Sequence, residues 1–515
     1  MTKNERLSLP FWKKLILFLI SFIFFAIQIL LVVLMFDLTF SYNSYYKQVR
    51  ILYFITMVIA MIYVIYIVQR PISANYKLIW AILIILFPLP SIMLYMFNQS
   101  SRKLSNRKMK IISRNIHYEN IFDDKKDLSA IDPQAANHVN IVQHSTFAPV
   151  YKNVKYTFFN DCYEKFLDML EELKKAEHYI FIETFIISSG YLMDQLFPIL
   201  EEKGKNGVKI KILYDDVGST GRVSSRLLKK LASIPNCKTN NYQPLGLNFN
   251  LMVNYRDHRK QVIIDGRVAY CGGDNLSDEY IHKKVRFGYW RDNCGKYEGP
   301  VVQTFVQMFK EMWFMSTRRI LKNLYVPEYN TVESGYVMAF GDGPVNEQNP
   351  AYDLFTSLIS SAKKSIYIST PYFIIDDSLI ELIALKAKSG VDVCLLLPKI
   401  PDKKSVFYMS RGKYRQILKA GGRIFEFTPG FNHAKNIIID DIYAFIGTIN
   451  FDYRSLYLHY ECGALIMHDK EIVKMSQDFV DAISKSEEIE YEIWRKRPWY
   501  QRLLAFILNI LAPMF

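Results

Sequence analysis

One phrase occurs twice in this chain, and each copy carries a single histidine. His258 is followed by Lys260, Asp265, Gly272 and Asn275; His433 is followed at the same offsets by Lys435, Asp440, Gly447 and Asn450. A lone histidine is most often structural, and a His-x-Lys pair arises by chance in many chains. Five matched positions repeated in one chain point instead to a working pair. Two histidines in matched settings suit a two-step displacement at phosphorus, in which one attacks and the other protonates the leaving group.

The surrounding sequence indicates how such a pair is positioned. Side chains two apart on a strand share a face, so each phrase reads as a strand presenting its histidine and lysine together. The apolar runs Val262–Ile264 and Ile437–Ile439 continue each strand into a core, and Asp265-Gly266 and Asp440-Asp441 read as turns. Asn275 and Asn450, at glycine-lined corners, are placed to donate to phosphate oxygens. Upstream, Ala176–Ile186 and Ala362–Ile374 read as matching buried strands, each followed by a helix and a second strand at Gly207–Leu213 or Gly390–Leu396. This is a duplicated α/β domain, too long a repeat for a solenoid.

At 515 residues, half of them hydrophobic, the chain can bury two cores. Its 64 basic against 50 acidic residues give a net charge of +14, which favours an anionic partner. The six cysteines form no CxxC pair, so they read as reduced core thiols, and neither a disulfide scaffold nor a metal-ligand cluster is indicated.

The N-terminal hundred residues are membrane-like. Leu15–Phe36 is a 22-residue apolar run, long enough for a bilayer that needs ~20 and too long for a cleaved signal peptide. Ile51–Val68 is a second candidate span. Leu78–Phe97 is a third, kinked by Pro88 and Pro90. The basic run Arg102, Lys103, Arg107, Lys108, Lys110 and Arg114 places the C-terminal remainder of the chain in the cytoplasm, although Lys3, Arg6, Lys13 and Lys14 pull the N-terminus the same way. Leu503–Phe515 is too short to span and, with Trp494, Arg497 and Arg502 beside it, reads as an interfacial helix.

The doubled phrase resembles the HxKx4D motifs of the phospholipase D superfamily over roughly residues 140–490. Within that superfamily, Phe287–Asp292, Tyr297–Val301, Ser369–Phe373, Asn450–Ser455 and Lys496–Leu504 resemble bacterial cardiolipin synthases, as does the hydrophobic N-terminus. The resemblance implies N-terminal transmembrane helices followed by two tandem phospholipase D-like α/β domains about a pseudo-twofold axis. Their boundaries would be a membrane anchor of two or three helices at 1–98, a basic polar connector at 99–140, domains at 141–325 and 326–490, and an amphipathic segment at 491–515. It implies a catalytic set of His258, Lys260, Asp265, His433, Lys435 and Asp440, with no metal and no cofactor. The two aspartates, at strand ends, suit support better than proton transfer. Glu461 and Asp292 are the implied histidine-orienting acids.

The implied reaction condenses two phosphatidylglycerols into cardiolipin and glycerol through a phosphohistidine. The implied partners are phosphatidylglycerol and anionic membrane lipids, without nucleic acid, in a multi-pass protein of the cell membrane compatible with a homo-oligomer. The alternatives are a membrane-bound phospholipase D, a transphosphatidylase with another donor or acceptor, and, less favoured by the apolar anchors, a tethered nuclease. Two residues depart from the family pattern: His459 stands where asparagine is expected and Thr184 where an aromatic is expected.

Overall fold

The computed structural model describes residues 45–70, 74–96, 123–243, 255–331, 335–344, 346, 348–510 and 512. The apolar run Leu15–Phe36 and the basic cluster at 102–114 lie outside them. The chain divides into two compact units, a small one built on the N-terminal helices and a large one spanning 111–244 and 255–509.

In the small unit, a helix over Tyr45–Val68 precedes one over Ala74–Leu86. Ile51–Val68, with a mean hydropathy of 2.6, is the one stretch among the described residues long and apolar enough to cross a membrane as a single helix. The third candidate is interrupted: the helix stops at Leu86, bends at Phe87 and resumes over 88–96. Pro88, lacking an N–H, is suited to the first turn of the resumed helix. Trp80, Ile84, Ile92 and Tyr95 pack with Ala60 and Ile67, and the Trp80 and Tyr95 rings meet edge-on at 5.2 Å.

The large unit is built on two mixed sheets with one repeated strand order. The first runs Lys155–Phe159, Cys294–Glu298, Val268–Gly272, Gln261–Ile264, Tyr179–Thr184, Lys209–Asp215, Cys237–Tyr242. The second runs Tyr336–Asp342, Glu461–Met467, Tyr443–Gly447, Asn436–Ile439, Ser365–Ser369, Asp392–Pro398, Arg423–Phe427, with a short strand added at each edge. In both, the strand after the histidine phrase lies antiparallel beside the buried strand read from the sequence. The regular ladder begins only at Gln261 and Asn436, so each histidine sits in the extended segment just before its strand.

Each sheet buries its own apolar layer. Ile180, Ile182, Ile210, Ile212, Val262 and Ile264 form one, covered by Phe166, Leu196 and Leu200 from flanking helices. Ile366, Ile368, Leu395, Ile437, Ile439 and Leu465 form the other, covered by Leu354, Leu358 and Ile383. Leu128, Ala135, Val139 and Val142 join the second layer, not the first. Helices over Lys125–Ile131 and Pro133–Thr146, together with the strand Tyr151–Lys152 paired to Tyr336–Asp342, therefore belong to the second sheet. Much of what reads in sequence as the end of a polar connector is thus core-forming helix, its apolar positions diluted by exposed polar ones.

All six cysteines are free. Cys271 and Cys462, one from each sheet, lie 3.6 Å apart at Sγ where the halves meet.

Candidate active site

Each histidine is fixed by the opposite half of the repeat. Asp257 bridges to Tyr460 in parallel, and the His258 amide donates to the Tyr460 carbonyl at 2.9 Å. The strand Gly430–Asn432 pairs in parallel with Tyr289–Arg291, and the His433 amide donates to the Arg291 carbonyl at 2.7 Å. Both pairings bring a carboxylate from the partner strand onto the ring. His258 Nδ1 is 2.9 Å from both Glu461 oxygens, and His433 Nδ1 is 2.5 Å from Asp292 Oδ2. An ionised carboxylate only accepts, so each Nδ1 carries the donated proton and each Nε2 is left for chemistry.

The lysines follow their histidines. Lys260 Nζ donates to the His258 carbonyl at 2.6 Å; Lys435 Nζ donates to the His433 carbonyl and lies 2.8 Å from His433 Nδ1. Both lysines and both histidines are buried. Burial works to raise the Glu461 carboxyl, but His258, His459 and Lys260 outweigh it and hold the group well below the usual carboxylate range. Burial pushes Asp292 up to about 6, against the pull of Lys435 and Lys260. Burial lowers Lys435 to about 7, with Lys260 adding to the effect against Asp292. Both histidines fall well below their ordinary value, chiefly through burial; Glu461 opposes this at His258, and Lys435 and Lys260 reinforce it at His433. Lys260 thus acts on both half-sites.

Asp265 and Asp440 lie at the far ends of the strands that the histidine segments lead into, at left-handed turns with φ of 53° and 56°. Asp265 accepts from the amides of Glu177, His178 and Tyr179 at 2.7–2.8 Å, and Asp440 accepts likewise from Lys363, Lys364 and Ser365. Each ties its hairpin to the start of the neighbouring strand, and neither is hydrogen-bonded to His258 or His433. Asn275 is engaged at both ends of its amide: Oδ1 accepts from the Ile186 amide at 2.9 Å and Nδ2 donates to the Tyr280 hydroxyl at 2.6 Å. Asn450 keeps a buried Oδ1 without a partner. Thr184 donates to the Ile186 carbonyl at 3.0 Å, capping the end of its strand.

Several contributors escape the sequence reading. Thr448 and Ser455 donate hydroxyls to Glu461, the latter at 2.7 Å. Tyr280 packs edge-on against the His433 ring at 5.5 Å, and Phe185 against His258 at 4.9 Å. Gly273, which aligns with Thr448, leaves the space that Asp292 fills: a Cβ there would lie 2.1 Å from Asp292 Oδ1. The repeat carried that signal, since Gly272-Gly273 and Gly447-Thr448 differ at one of two aligned positions.

Two carboxylate-backed histidines, each beside a lysine and set in duplicated α/β sheets, define the phospholipase D class of phosphodiester enzymes. The family model described as "Cardiolipin synthase, PLD-like domain" matches residues 169–313 and 355–483. The chain is 33% identical over 446 residues to a cardiolipin synthase of Halalkalibacterium halodurans, covering 85% of this chain and 88% of that one. It is 37% identical over 363 residues to cardiolipin synthase 2 of Bacillus anthracis, covering 68% of this chain and 69% of that one. Among solved structures it is similar to the phosphatidylserine synthase of Haemophilus influenzae, with a TM-score of 0.56 at 14% identity, covering 73% of this chain and all of that one. The chain belongs to the cardiolipin synthase family.

Proposed function

We propose that this phosphatidyltransferase is a cardiolipin synthase working by double displacement between two phosphatidylglycerols, with its two α/β halves forming one active site about a pseudo-twofold axis. The carrying observation is the crossed arrangement in which each half supplies the carboxylate for the other half's histidine. Neither half-site is complete alone.

His258 is assigned as nucleophile and His433 as acid. Attack by His258 Nε2 on phosphorus leaves positive charge on the ring, and Glu461, held ionised, faces that charge through Nδ1–H. The bond to the glycerol oxygen breaks, and that oxygen takes a proton from His433. An imidazolium beside Lys435 and Lys260 is weakly stabilised and therefore a ready proton donor, with the substrate phosphate supplying the anion that lets it hold the proton. The second lipid's terminal hydroxyl then gives its proton to His433 and attacks phosphorus. This forms the new phosphodiester and frees His258. Lys260, Lys435 and Asn450 neutralise or bond the phosphate oxygens; Asp265 and Asp440 hold the scaffold.

The apolar helix Ile51–Val68 and the C-terminal helix Trp499–Ile510, with exposed Trp499, Leu503, Phe506 and Ile507, support a multi-pass anchor and an interfacial segment. The catalytic domains are assigned to the cytoplasmic side on the basic run at 102–114; the remaining domain limits drawn from the sequence are kept, but residues 125–152 are assigned to the second domain, whose core and sheet they join. Purified full-length chain given phosphatidylglycerol alone tests the assignment. Cardiolipin plus glycerol in equal amounts is expected; phosphatidic acid without cardiolipin would make it a hydrolase.

A further inference from the structure

Of the buried polar groups beside the reacting histidines, His459 is the least accounted for. Only 8% of the residue is exposed, yet neither ring nitrogen has a hydrogen-bond partner. A buried polar group without a hydrogen bond is costly, and this ring has only its Nδ1 within ion-pair range of Glu461, which leaves it able to take a ligand. Its centroid is 5.4 Å from that of His258, and its Nδ1 is 3.6 Å from Glu461 Oε1. His258, His459 and Glu461 place one donor atom each within 4.8 Å of one another, all three buried.

We propose that His258, His459 and Glu461 form an inhibitory site for a transition-metal ion of the Zn²⁺ class, seated on the Nδ1 side of the nucleophile. This rests on the reading of His258 as a reacting histidine. Two imidazoles and a carboxylate, with one position open, are a donor set that such ions accept. Metal–nitrogen bonds of about 2.0–2.1 Å in a tetrahedron set neighbouring donors about 3.3–3.4 Å apart. The observed separations from Glu461 Oε1, 2.9 Å to His258 and 3.6 Å to His459, lie on either side of that value. Glu461 is also anchored from behind by Thr448 and Ser455, so it would meet the ion without first being ordered. Lys260, whose charge acts on His258 and Glu461, has its ammonium directed to the His258 carbonyl, and Asp452 adds a second carboxylate near the cluster.

The other half-site cannot do the same. Trp290 stands two residues before Asp292, as His459 stands two before Glu461, and its ring lies at the same 5.4 Å from His433. Tryptophan offers no metal-ligating lone pair, so one ion per chain is expected. On binding, the ion replaces the Nδ1 proton of His258 and breaks its hydrogen bond to Glu461. It also withdraws electron density from the ring, so attack through Nε2 slows.

The test uses the full chain in detergent micelles and Co²⁺ as a spectroscopic probe. Intense tetrahedral visible bands are expected at one Co²⁺ per chain, displaced by Zn²⁺, kept in His433→Ala, and lost in His459→Asn and in His258→Ala. In parallel, cardiolipin formation should be suppressed by Zn²⁺ and restored by a chelator. His459→Asn, measured against its own metal-free rate, should need at least about ten-fold more Zn²⁺. No Co²⁺ bands, or bands that persist in His459→Asn, would overturn the site. Intact bands in a chain that makes no cardiolipin would instead overturn the functional reading and leave the site standing.

Discussion

The two half-sites share a plan and differ in how firmly each carboxylate is held. Glu461 accepts from His258, Thr448 and Ser455 and stays ionised far below neutrality. Asp292 accepts from His433 and from the Asn293 amide and is pushed up to about 6. The difference traces to aligned positions: Thr448 where the first half has Gly273, and Ser455 where it has Tyr280. In the second half those residues donate hydrogen bonds to the acid. In the first, the glycine only makes room, and the tyrosine packs on the histidine ring instead. Duplication supplied two equivalent histidines, and divergence at these supporting positions made one suited to bear positive charge and the other to give up a proton.

The largest effects should come from the histidines themselves, and they should not be equal in kind. His258→Ala is expected to abolish cardiolipin formation and all phosphorus label on the protein. His433→Ala should slow turnover by about 10²–10⁴ while leaving a trappable phosphohistidine when the leaving group is activated. Acid-quenched protein from ³²P-labelled lipid reads this directly. Label retained in His258→Ala and absent in His433→Ala would reverse the assignment.

Next in size is the pH profile. Below about 6 Asp292 takes a proton and no longer accepts from His433 Nδ1, so the rate falls on the acid side. Above about 7 Lys435 loses its charge and the phosphate loses a cation, so the rate falls on the alkaline side. A bell with its summit between these values is expected for the free enzyme. Asp292→Asn should flatten the acid limb. Glu461→Gln should lower the rate at every pH and leave the acid limb in place, while the alkaline limb moves to lower pH because the Glu461 charge helps keep Lys435 protonated. Rates from pH 5 to 9 on the two variants separate these outcomes.

Supporting positions should weigh less. Gly273→Ala drives a methyl into Asp292 Oδ1 and should cost about 10–100-fold in rate through displacement of His433. Thr448→Ala removes one hydrogen bond to an ionised group, worth about 1.5–3 kcal/mol where buried, together with the Thr448 contacts to the Cys462 backbone, and should act on the Glu461 side of the site. If Thr448→Ala shifted the acid limb, the independence of the two half-sites would fail.

How much of this was legible depended on whether the information was local. The His, Lys, Asp and Asn offsets lie within twenty residues and survive in both copies, so the motif and the repeated strands could be read directly. Which acid meets which histidine could not, because it depends on the Asp257–Tyr460 and Phe431–Trp290 pairings between distant segments. Glu461 was identified as an orienting acid, but nothing near it in sequence names His258, 203 residues away. Asn275 illustrates the opposite difficulty. Its type and place suit phosphate binding, yet its amide is engaged by Ile186 and Tyr280, contacts that exist only once the chain has folded. The stretch up to residue 140 reads as a polar connector because its buried Leu128, Ala135 and Val139 are separated by exposed residues, and their destination in the second sheet is set by tertiary packing.

The smallest expected effect tests whether the duplicated aspartates are equivalent as scaffold. Each holds three backbone amides, so an alanine at either position unties the same three bonds. The surroundings differ. Asp265 is 5% exposed and serves amides that are partly or fully buried, whereas Asp440 is half-buried and the Lys363 and Lys364 amides it serves lie at the surface. Water can replace Asp440 at two of its three partners but cannot readily reach the Tyr179 amide behind Asp265. A buried donor left unsatisfied costs about 1–3 kcal/mol, while an exposed one costs little. Asp265→Ala should therefore lower the thermal midpoint clearly more than Asp440→Ala, with the surviving folded fraction of each retaining phosphohistidine formation. Equal destabilisation would show that solvent reaches both hairpins alike. Loss of phosphohistidine in well-folded Asp265→Ala would move that residue from the scaffold into the reaction itself.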